Sequence, residues 1–353
     1  MEIGSVLVTG GTGFLGSAIV RALREKHPRC HITVVDIQVS NDTGFATDSD
    51  LSFAQADVTS PESLSNVFSK CRPQVVIHTA GIVPPLSERY ARRMEKDVLR
   101  VNVEGTRNTL RAAKEAGCAA FVYTGSCTAV IDDVSFQYAN IDERWPLAYR
   151  SSIYGESKAL AEELVLSSSG DGIKACVLRP SVLCGEGDSQ LLPSIHACIA
   201  NRETSYIIGD GHNLWDVTYV GNIADAHVLA AENLLSTMTA AGEAFFIQNN
   251  EAIAFRDLSL AVWKHFGHIP PFEIVIPAGL AWFAGFLAEC FAWMNGTTAT
   301  LSRGSVRDAC SVRYANGQKA EKILGYKARV GIEEGIRISC EDYAKRLRQR
   351  AKG

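Results

Sequence analysis

Val6-Leu7-Val8-Thr9-Gly10-Gly11-Thr12-Gly13-Phe14-Leu15-Gly16 is followed by a second apolar run, Ile32-Thr33-Val34-Val35, which ends on Asp36 twenty positions after Gly16. An apolar strand, a turn with Gly10, Gly13 and Gly16, a helix, and a second strand closed by an acid form the first half of a dinucleotide-binding unit. The glycines are needed because a Cβ there would push a pyrophosphate away from the N–H groups at the helix N-terminus, where partial positive charge gathers. Asp36 stands where its carboxylate can accept bonds from both hydroxyls of an adenosine ribose. It would repel a 2′-phosphate, so the expected cofactor is NAD and not NADP.

A chain of 353 residues suits about two domains, and 46% hydrophobic with 21% charged residues describes a globular protein, not a disordered one. A net charge of −4 gives no general attraction for nucleic acid, and no nucleic-acid partner is expected. The basic run Lys345, Arg346, Arg348, Arg350, Lys352 reads as a solvated helix face. Ten cysteines without a C-x-x-C pair point to reduced thiols and a cytoplasmic protein. The eight histidines are read as surface or core residues, so no metal is expected. The first strand begins almost at Met1, so no signal peptide is expected.

Further along, apolar β-branched runs alternate with amphipathic stretches. They predict strands at 5–9, 31–36, 51–56, 74–78, 119–125 and 173–179, and helices near 14–26, 61–70, 88–116 and 153–168. This is the pattern of an α/β doubly wound parallel sheet, a Rossmann domain, whose ligands lie at the carboxyl ends of the strands. Beyond about residue 185 the segments become short and irregular, except that 221–249 reads as a return to the sheet. The expected division is therefore 1–185 plus 221–249 for the NAD-binding domain, and 186–220 plus 250–353 for a smaller, discontinuous substrate domain.

Tyr154 and Lys158 stand four apart in Y-G-E-S-K, one turn apart on one face of a helix. An ammonium beside a phenol favours the phenolate, so this pair can exchange a proton with an alcohol. The preceding strand ends in Tyr123-Thr124-Gly125-Ser126 and the following one in Arg179-Pro180, which directs Ser126 and the cofactor towards the same helix.

With these motifs the chain resembles an extended short-chain dehydrogenase/reductase. The residues are T-G-G-T-G-F-L-G, Asp36, Asp57-Val58, His78-Thr79-Ala80, Asn102-Val103-x-Gly105-Thr106, Tyr154-x-x-x-Lys158 and Arg179-Pro180. Within that superfamily it looks most like the 3β-hydroxysteroid dehydrogenase and sterol-4α-carboxylate 3-dehydrogenase (decarboxylating) branch. The pointers are V-I-H-T-A, N-V-E-G-T-R-N, W-D-V-T-Y-V-G-N-I-A-D-A-H and the apolar tail segment followed by L-G-Y-K-A. The resemblance implies that Tyr154 is the general base, that Lys158 binds the nicotinamide ribose and lowers the tyrosine pKa, and that Ser126 bonds the reacting oxygen. It places Gly10, Gly13, Phe14, Leu15, Gly16 and Asp36 on the cofactor, Asp57 and Val58 at the adenine, Ala80 at the phosphates or ribose, and Pro180 and Val182 at the nicotinamide. Asn102 would shape the helix that positions the base. Gly125-Ser126 departs from the paired hydroxyl residues frequent in the family, so the serine role falls on Ser126, with Thr124 or Thr128 as substitutes.

Ile274 to Ala288 carries no charge before Glu289 interrupts. It falls short of the ~20 residues a spanning helix needs, and suits an interfacial helix, a greasy substrate entrance or a buried core helix. The resemblance favours the first two, with a small apolar polycyclic substrate and peripheral contact through 274–294, placing the protein at the cytosolic face of an intracellular membrane. A homodimer is left open. The expected activity is NAD-dependent oxidation of a 3β-hydroxyl on a steroid or triterpenoid-like skeleton, with loss of CO2 when a 4-carboxyl is present. A nucleotide-sugar epimerase, a flavonoid-type 4-reductase and a non-catalytic cofactor-sensing scaffold are the alternatives. Arg202 stands nearly alone as a basic residue in 186–220, too little for a diphosphate.

Overall fold

The computed structural model describes residues 2–38, 50–85 and 88–351; Lys352 of the basic run lies outside them. The first half of the chain runs β1 (Ser5–Thr9), α1 (Phe14–Lys26), β2 (His31–Asp36), β3 (Leu51–Gln55), α2 (Pro61–Cys71), β4 (Val75–His78), α3 (Glu95–Leu99), a π-helical turn (Arg100–Glu104), α4 (Gly105–Glu115), β5 (Ala120–Thr124), β6 (Tyr138–Ile141), α5 (Ile153–Ser167) and β7 (Lys174–Pro180). The second half follows with β8 (Val182–Cys184), α6 (Leu191–Ala200), β9 (Tyr206–Ile208), β10 (Leu214–Trp215), β11 (Val217–Tyr219), α7 (Val220–Leu235), β12 (Ala244–Ile247), β13 (Ile253–Ala254), α8 (Phe255–His265), β14 (Ile274–Ile276), α9 (Ala278–Met294), α10 (Arg303–Cys310), β15 (Arg313–Ala315), α11 (Gln318–Leu324) and α12 (Ile332–Arg350).

Among the described residues the main sheet has seven strands in the order β12-β7-β5-β4-β1-β2-β3. All its pairings are parallel, with Val8 opposite both Val34 and Ile77. Side chains alternate between the faces. Val6 and Val8 pack with α1 and α7, whereas Leu7, Val76 and Phe121 pack with α2, α4 and α5. Covered on both sides, the strands read as continuous apolar runs, which is what made them legible. Ala320, Leu324 and Tyr326, from the stretch expected in the substrate domain, join the first of these cores, while α6, α8 and α12 enclose a separate one around Leu258, Val262 and Trp263.

Two expectations are corrected. The helix expected at 88–116 starts only at Glu95, because Arg92 sits in the left-handed region (φ 57°), where an α-helix cannot pass. The apolar tail begins as β14 and continues after Pro277 as one helix, α9, which runs on through Glu289, whose carboxylate turns aside to accept from Arg303. Nor is that helix a core element: only Ala281, Gly285 and Ala292 are buried.

Candidate active site

The glycine turn leaves room for nothing but backbone. Gly10 has φ +67°, and a Cβ on it would lie 2.8 Å from the Ala80 nitrogen; one on Gly16 would lie 2.1 Å from the Gly10 carbonyl oxygen. The ends of β1 and β4 are thereby pressed together at the N-terminus of α1, which Gly13 caps without a side-chain bond. A backbone cradle of this kind, open at the N–H end of a 13-residue helix, fits a dinucleotide pyrophosphate. Phe14 and Leu15 begin α1 and pack on the core below. Asp36 at the end of β2 bends back to the turn, its Oδ2 accepting from Thr12 N–H (3.2 Å) and Oγ1 (2.6 Å) and its Oδ1 from Ile37 N–H (2.8 Å). Past β3, exposed Asp57 accepts from Thr59 N–H at 2.8 Å, while buried Val58 packs on Gly105 of α4. Pro180 is buried at the end of β7, and Val182 pairs with Val217.

Beside this cradle, α5 carries the tyrosine and lysine expected to exchange the proton. Ser152 caps it, accepting from Gly155 N–H, which fixes the entry of the chain one residue before Ile153. Tyr154 and Lys158 project along one face, and the Lys158 ammonium stands 5.8 Å from the centre of the Tyr154 ring. Ser126 lies beside the Tyr154 phenol, and its Oγ accepts from Thr128 N–H (3.2 Å) and Oγ1 (2.8 Å). Burial pushes the phenol up to about 12, with neighbouring Ser126 and the Arg89 charge pulling the other way. Burial also pushes the Lys158 ammonium down to about 8. The lysine was expected to lower the tyrosine pKa; desolvation of the half-buried phenol, which raises it, is the largest influence.

The structure therefore brings Ser126, Tyr154 and Lys158 together. It gives the two substitute hydroxyls other duties: Thr124 meets the His227 ring at 2.8 Å, and Thr128 donates to Ser126. Gly125 is glycine for a reason of space, since a Cβ would lie 2.8 Å from Val177 Cγ1 and 3.5 Å from Glu162 Oε2. A hydroxyl residue there would face the interior, not the site.

Supports for this group lie underneath, among them Asn102, expected to shape the helix that positions the base. Asn102, in the π-helical turn, donates to Ile82 O (3.0 Å) and Ser157 Oγ (2.9 Å) and accepts from Ile82 N–H (2.7 Å), and Ser157 donates to Tyr154 O. A single π turn re-aims one side chain out of helical register, which amino-acid type does not signal. Lys158 donates to Thr124 O at 2.8 Å. His78 bridges Thr9 (2.6 Å) and Thr106 (3.0 Å). Burial drives His78 down to about 3, helped by the Lys158 charge, and His227 down to about 4, so neutral imidazoles line the floor below the ammonium. Both histidines stood in motifs already singled out, V-I-H-T-A and D-A-H, but only the fold shows what they touch.

The model of the 3-beta hydroxysteroid dehydrogenase/isomerase family matches residues 7–278. The chain belongs to that family. It is 37% identical over 347 residues to the sterol-4-alpha-carboxylate 3-dehydrogenase, decarboxylating, of Saccharomyces cerevisiae, covering 95% of this chain and 96% of the relative. The enzyme of the same description from Schizosaccharomyces pombe is 37% identical over 340 residues, covering 96% of each. Among solved structures, a Stenotrophomonas maltophila UDP-glucose-4-epimerase with bound NAD superposes with a TM-score of 0.76 at 20% identity, over 99% of this chain and 100% of that one. A Thermotoga maritima UDP-glucose 4-epimerase gives 0.74 at 22%, over 97% and 99%. At such identities the structures establish the shared fold and no more.

Proposed function

We propose that this protein oxidises the 3β-hydroxyl of a steroid or triterpenoid-like alcohol with NAD, and that CO2 is lost when the substrate carries a 4-carboxyl. The observation that carries the proposal is the grouping of Ser126, Tyr154 and Lys158 beside the glycine cradle, with Ser126 and Lys158 buried. The sterol carboxylate dehydrogenases among its relatives support the substrate class. NAD, when bound, supplies the hydride acceptor. Ser126 Oγ and Tyr154 Oη hold the alcohol oxygen, Tyr154 takes its proton, and the Lys158 ammonium offsets the charge on the phenolate. Asp57 and Val58 border the adenine side of the cofactor, Ala80 its phosphates, and Pro180 and Val182 its nicotinamide. With a ketone at C3, the bond from C4 to the carboxyl breaks. Its electron pair passes onto the ketone oxygen as an enolate, which takes up a proton, and CO2 leaves.

Among the described residues no helix is long and apolar enough to cross a membrane. Yet α9 exposes Leu280, Phe283, Leu287, Phe291 and Trp293, and β14 beside it exposes Ile274 and Val275. We infer that this face lies on the surface of an intracellular membrane, where aromatic residues favour the headgroup boundary and sterols are dissolved.

The test is NADH formation and CO2 release with 3β-hydroxysterols, their 4-carboxy derivatives and UDP-sugars, each with NAD and NADP. Sterol turnover with NAD, and CO2 from the carboxysterol alone, is expected. Turnover of the sugars only would transfer the site to an epimerase, and binding of NAD without any turnover to a scaffold.

A further inference from the structure

Helix α5 carries the Lys158 ammonium into surroundings that offer a charge little. Among the described residues Lys158 makes one hydrogen bond, to Thr124 O at 2.8 Å, and no ion pair, although its side chain is buried. On another side Gly81 comes so close that a Cβ on it would lie 3.6 Å from Nζ. Glu162, one turn further along α5, is committed to Arg179, whose Nε donates to both carboxylate oxygens at 3.1 and 3.0 Å. An enclosed ammonium with a single acceptor is costly unless something else offsets its charge.

The offset comes from β5. Tyr123 is buried near the end of that strand, and Lys158 Nζ stands over its ring, 5.0 Å from the centre, nearer than the 5.8 Å to the Tyr154 ring. The face of a phenol ring carries the negative part of its quadrupole and attracts a cation within about 6 Å, most strongly where water is shut out. His78, opposite Tyr123 in the pairing of β4 with β5, stacks on the same ring at 5.8 Å with 25° between the planes. The Tyr123 hydroxyl lies beside Thr106 without a hydrogen bond, and burial holds it well above the usual phenol range, so the ring stays neutral. What this position supplies is a ring face and no polar contact. The other titratable groups around the ammonium are the Tyr154 phenol and the His78 imidazole, which burial keeps neutral.

We propose that Tyr123 is a positioning residue for the oxidation, its ring face holding the Lys158 ammonium in place and charged beside Tyr154. The inference rests on the reading of Tyr154 and Lys158 as the pair that exchanges the proton, and deepens it by naming what keeps the lysine cationic. A carboxylate in this place would neutralise the charge that the phenolate requires. A quadrupole attracts the ammonium and leaves its full charge to act on Tyr154. Strand β5 is paired on both sides, with β4 and β7, so the lysine is referenced to the rigid middle of the sheet whose end also leads into Ser126.

The experiment compares Tyr123→Phe, Tyr123→Leu and a trifluorinated phenylalanine in place of Tyr123 with the unaltered protein. The fluorinated ring keeps nearly the shape of phenylalanine but loses the negative potential of its face, so it tests the contact even where Tyr123→Leu fails to fold. Tyr123→Phe should hold kcat for a 3β-hydroxysterol within about threefold, whereas Tyr123→Leu and the fluorinated ring should lower it about 5- to 30-fold, the weight of a desolvated cation–π contact. NMR titration of carbon-13 labelled lysines, with the Lys158 signal assigned by its loss in Lys158→Met, reads the contact without substrate or cofactor. An ammonium deprived of the ring face gives up its proton more readily, so the same fold-change should appear as a fall in the Lys158 pKa of about 0.7 to 1.5 in Tyr123→Leu and with the fluorinated ring, and not in Tyr123→Phe. Failure of the dehydrogenase reading would show separately, as no turnover of any sterol by the unaltered protein, and the titration would still decide the contact. A Lys158 pKa unmoved by the fluorinated ring, or a loss in Tyr123→Phe equal to that with the fluorinated ring, would overturn the proposal.

Discussion

Two helices of nearly equal length, α5 and α9, invert the usual relation between side-chain polarity and burial. Helix α5 buries Lys158 and Glu162, which are 4% and 0% exposed. Helix α9, almost wholly apolar, leaves Phe291 and Trp293 66% and 83% exposed. Charged groups inside need specific partners, and here they have them: Lys158 has the Thr124 carbonyl, and Glu162 has the Arg179 guanidinium, with Nε to Oε2 at 3.0 Å. Apolar groups outside gain nothing from the fold, so α9 must be explained by what it meets. The contrast teaches that the fold satisfies the charges it buries and leaves the apolar side chains of α9 uncovered.

The largest effect that would break this comparison is at the buried end. Tyr154→Phe keeps the ring and removes the proton acceptor, so sterol oxidation should fall ~10²–10⁴-fold while NAD affinity, measured by NADH fluorescence competition, stays within a few-fold. Near-normal turnover would remove the tyrosine from the mechanism.

Next in size is the buried ion pair. Glu162→Gln leaves Arg179 enclosed without its carboxylate, and urea unfolding should show a loss of about 3–5 kcal/mol. A loss below about 1 kcal/mol would mean that the pair is no more than an exposed salt bridge in energy.

The histidine floor sharpens the comparison through pH. His78 and His227 are held neutral, at about 3 and about 4, below their value in the unfolded chain. The unfolded state therefore binds more protons, and stability is fully present above about pH 6.5 and is lost as pH falls towards 4. The slope contributed by each histidine approaches about 1.4 kcal/mol per pH unit, readable from urea midpoints, and His227→Gln should remove one share of it. A slope unchanged in that variant would assign the acid loss to other groups.

The smallest effect on the isolated protein is expected at α9. Replacing Leu280, Phe283, Phe291 and Trp293 with serine should leave the thermal midpoint within a few degrees and turnover of detergent-dispersed sterol within about twofold, since these side chains cover no core. Sedimentation with phosphatidylcholine vesicles should nevertheless be lost. If vesicle binding is unchanged and a concentration-dependent dimer dissociates instead, the face belongs to a second copy of the chain.

The sequence by itself determined the order of the parallel elements, because strands covered on both faces must be apolar throughout and the turn after β1 must be free of side chains. Within the catalytic helix it also placed Tyr154 and Lys158 on one face, because four residues make about one turn. It could not determine which hydroxyl beside β5 serves the phenol, since Thr124, Ser126 and Thr128 differ only in what the folded chain puts opposite them. Nor could it show that Arg92 would break the helix expected from residue 88, or that a π turn would re-aim Asn102. For the apolar tail, composition permitted both core and surface. Only the tertiary structure decided between them, because burial depends on which elements remain to cover a helix, and α9 is left mostly uncovered.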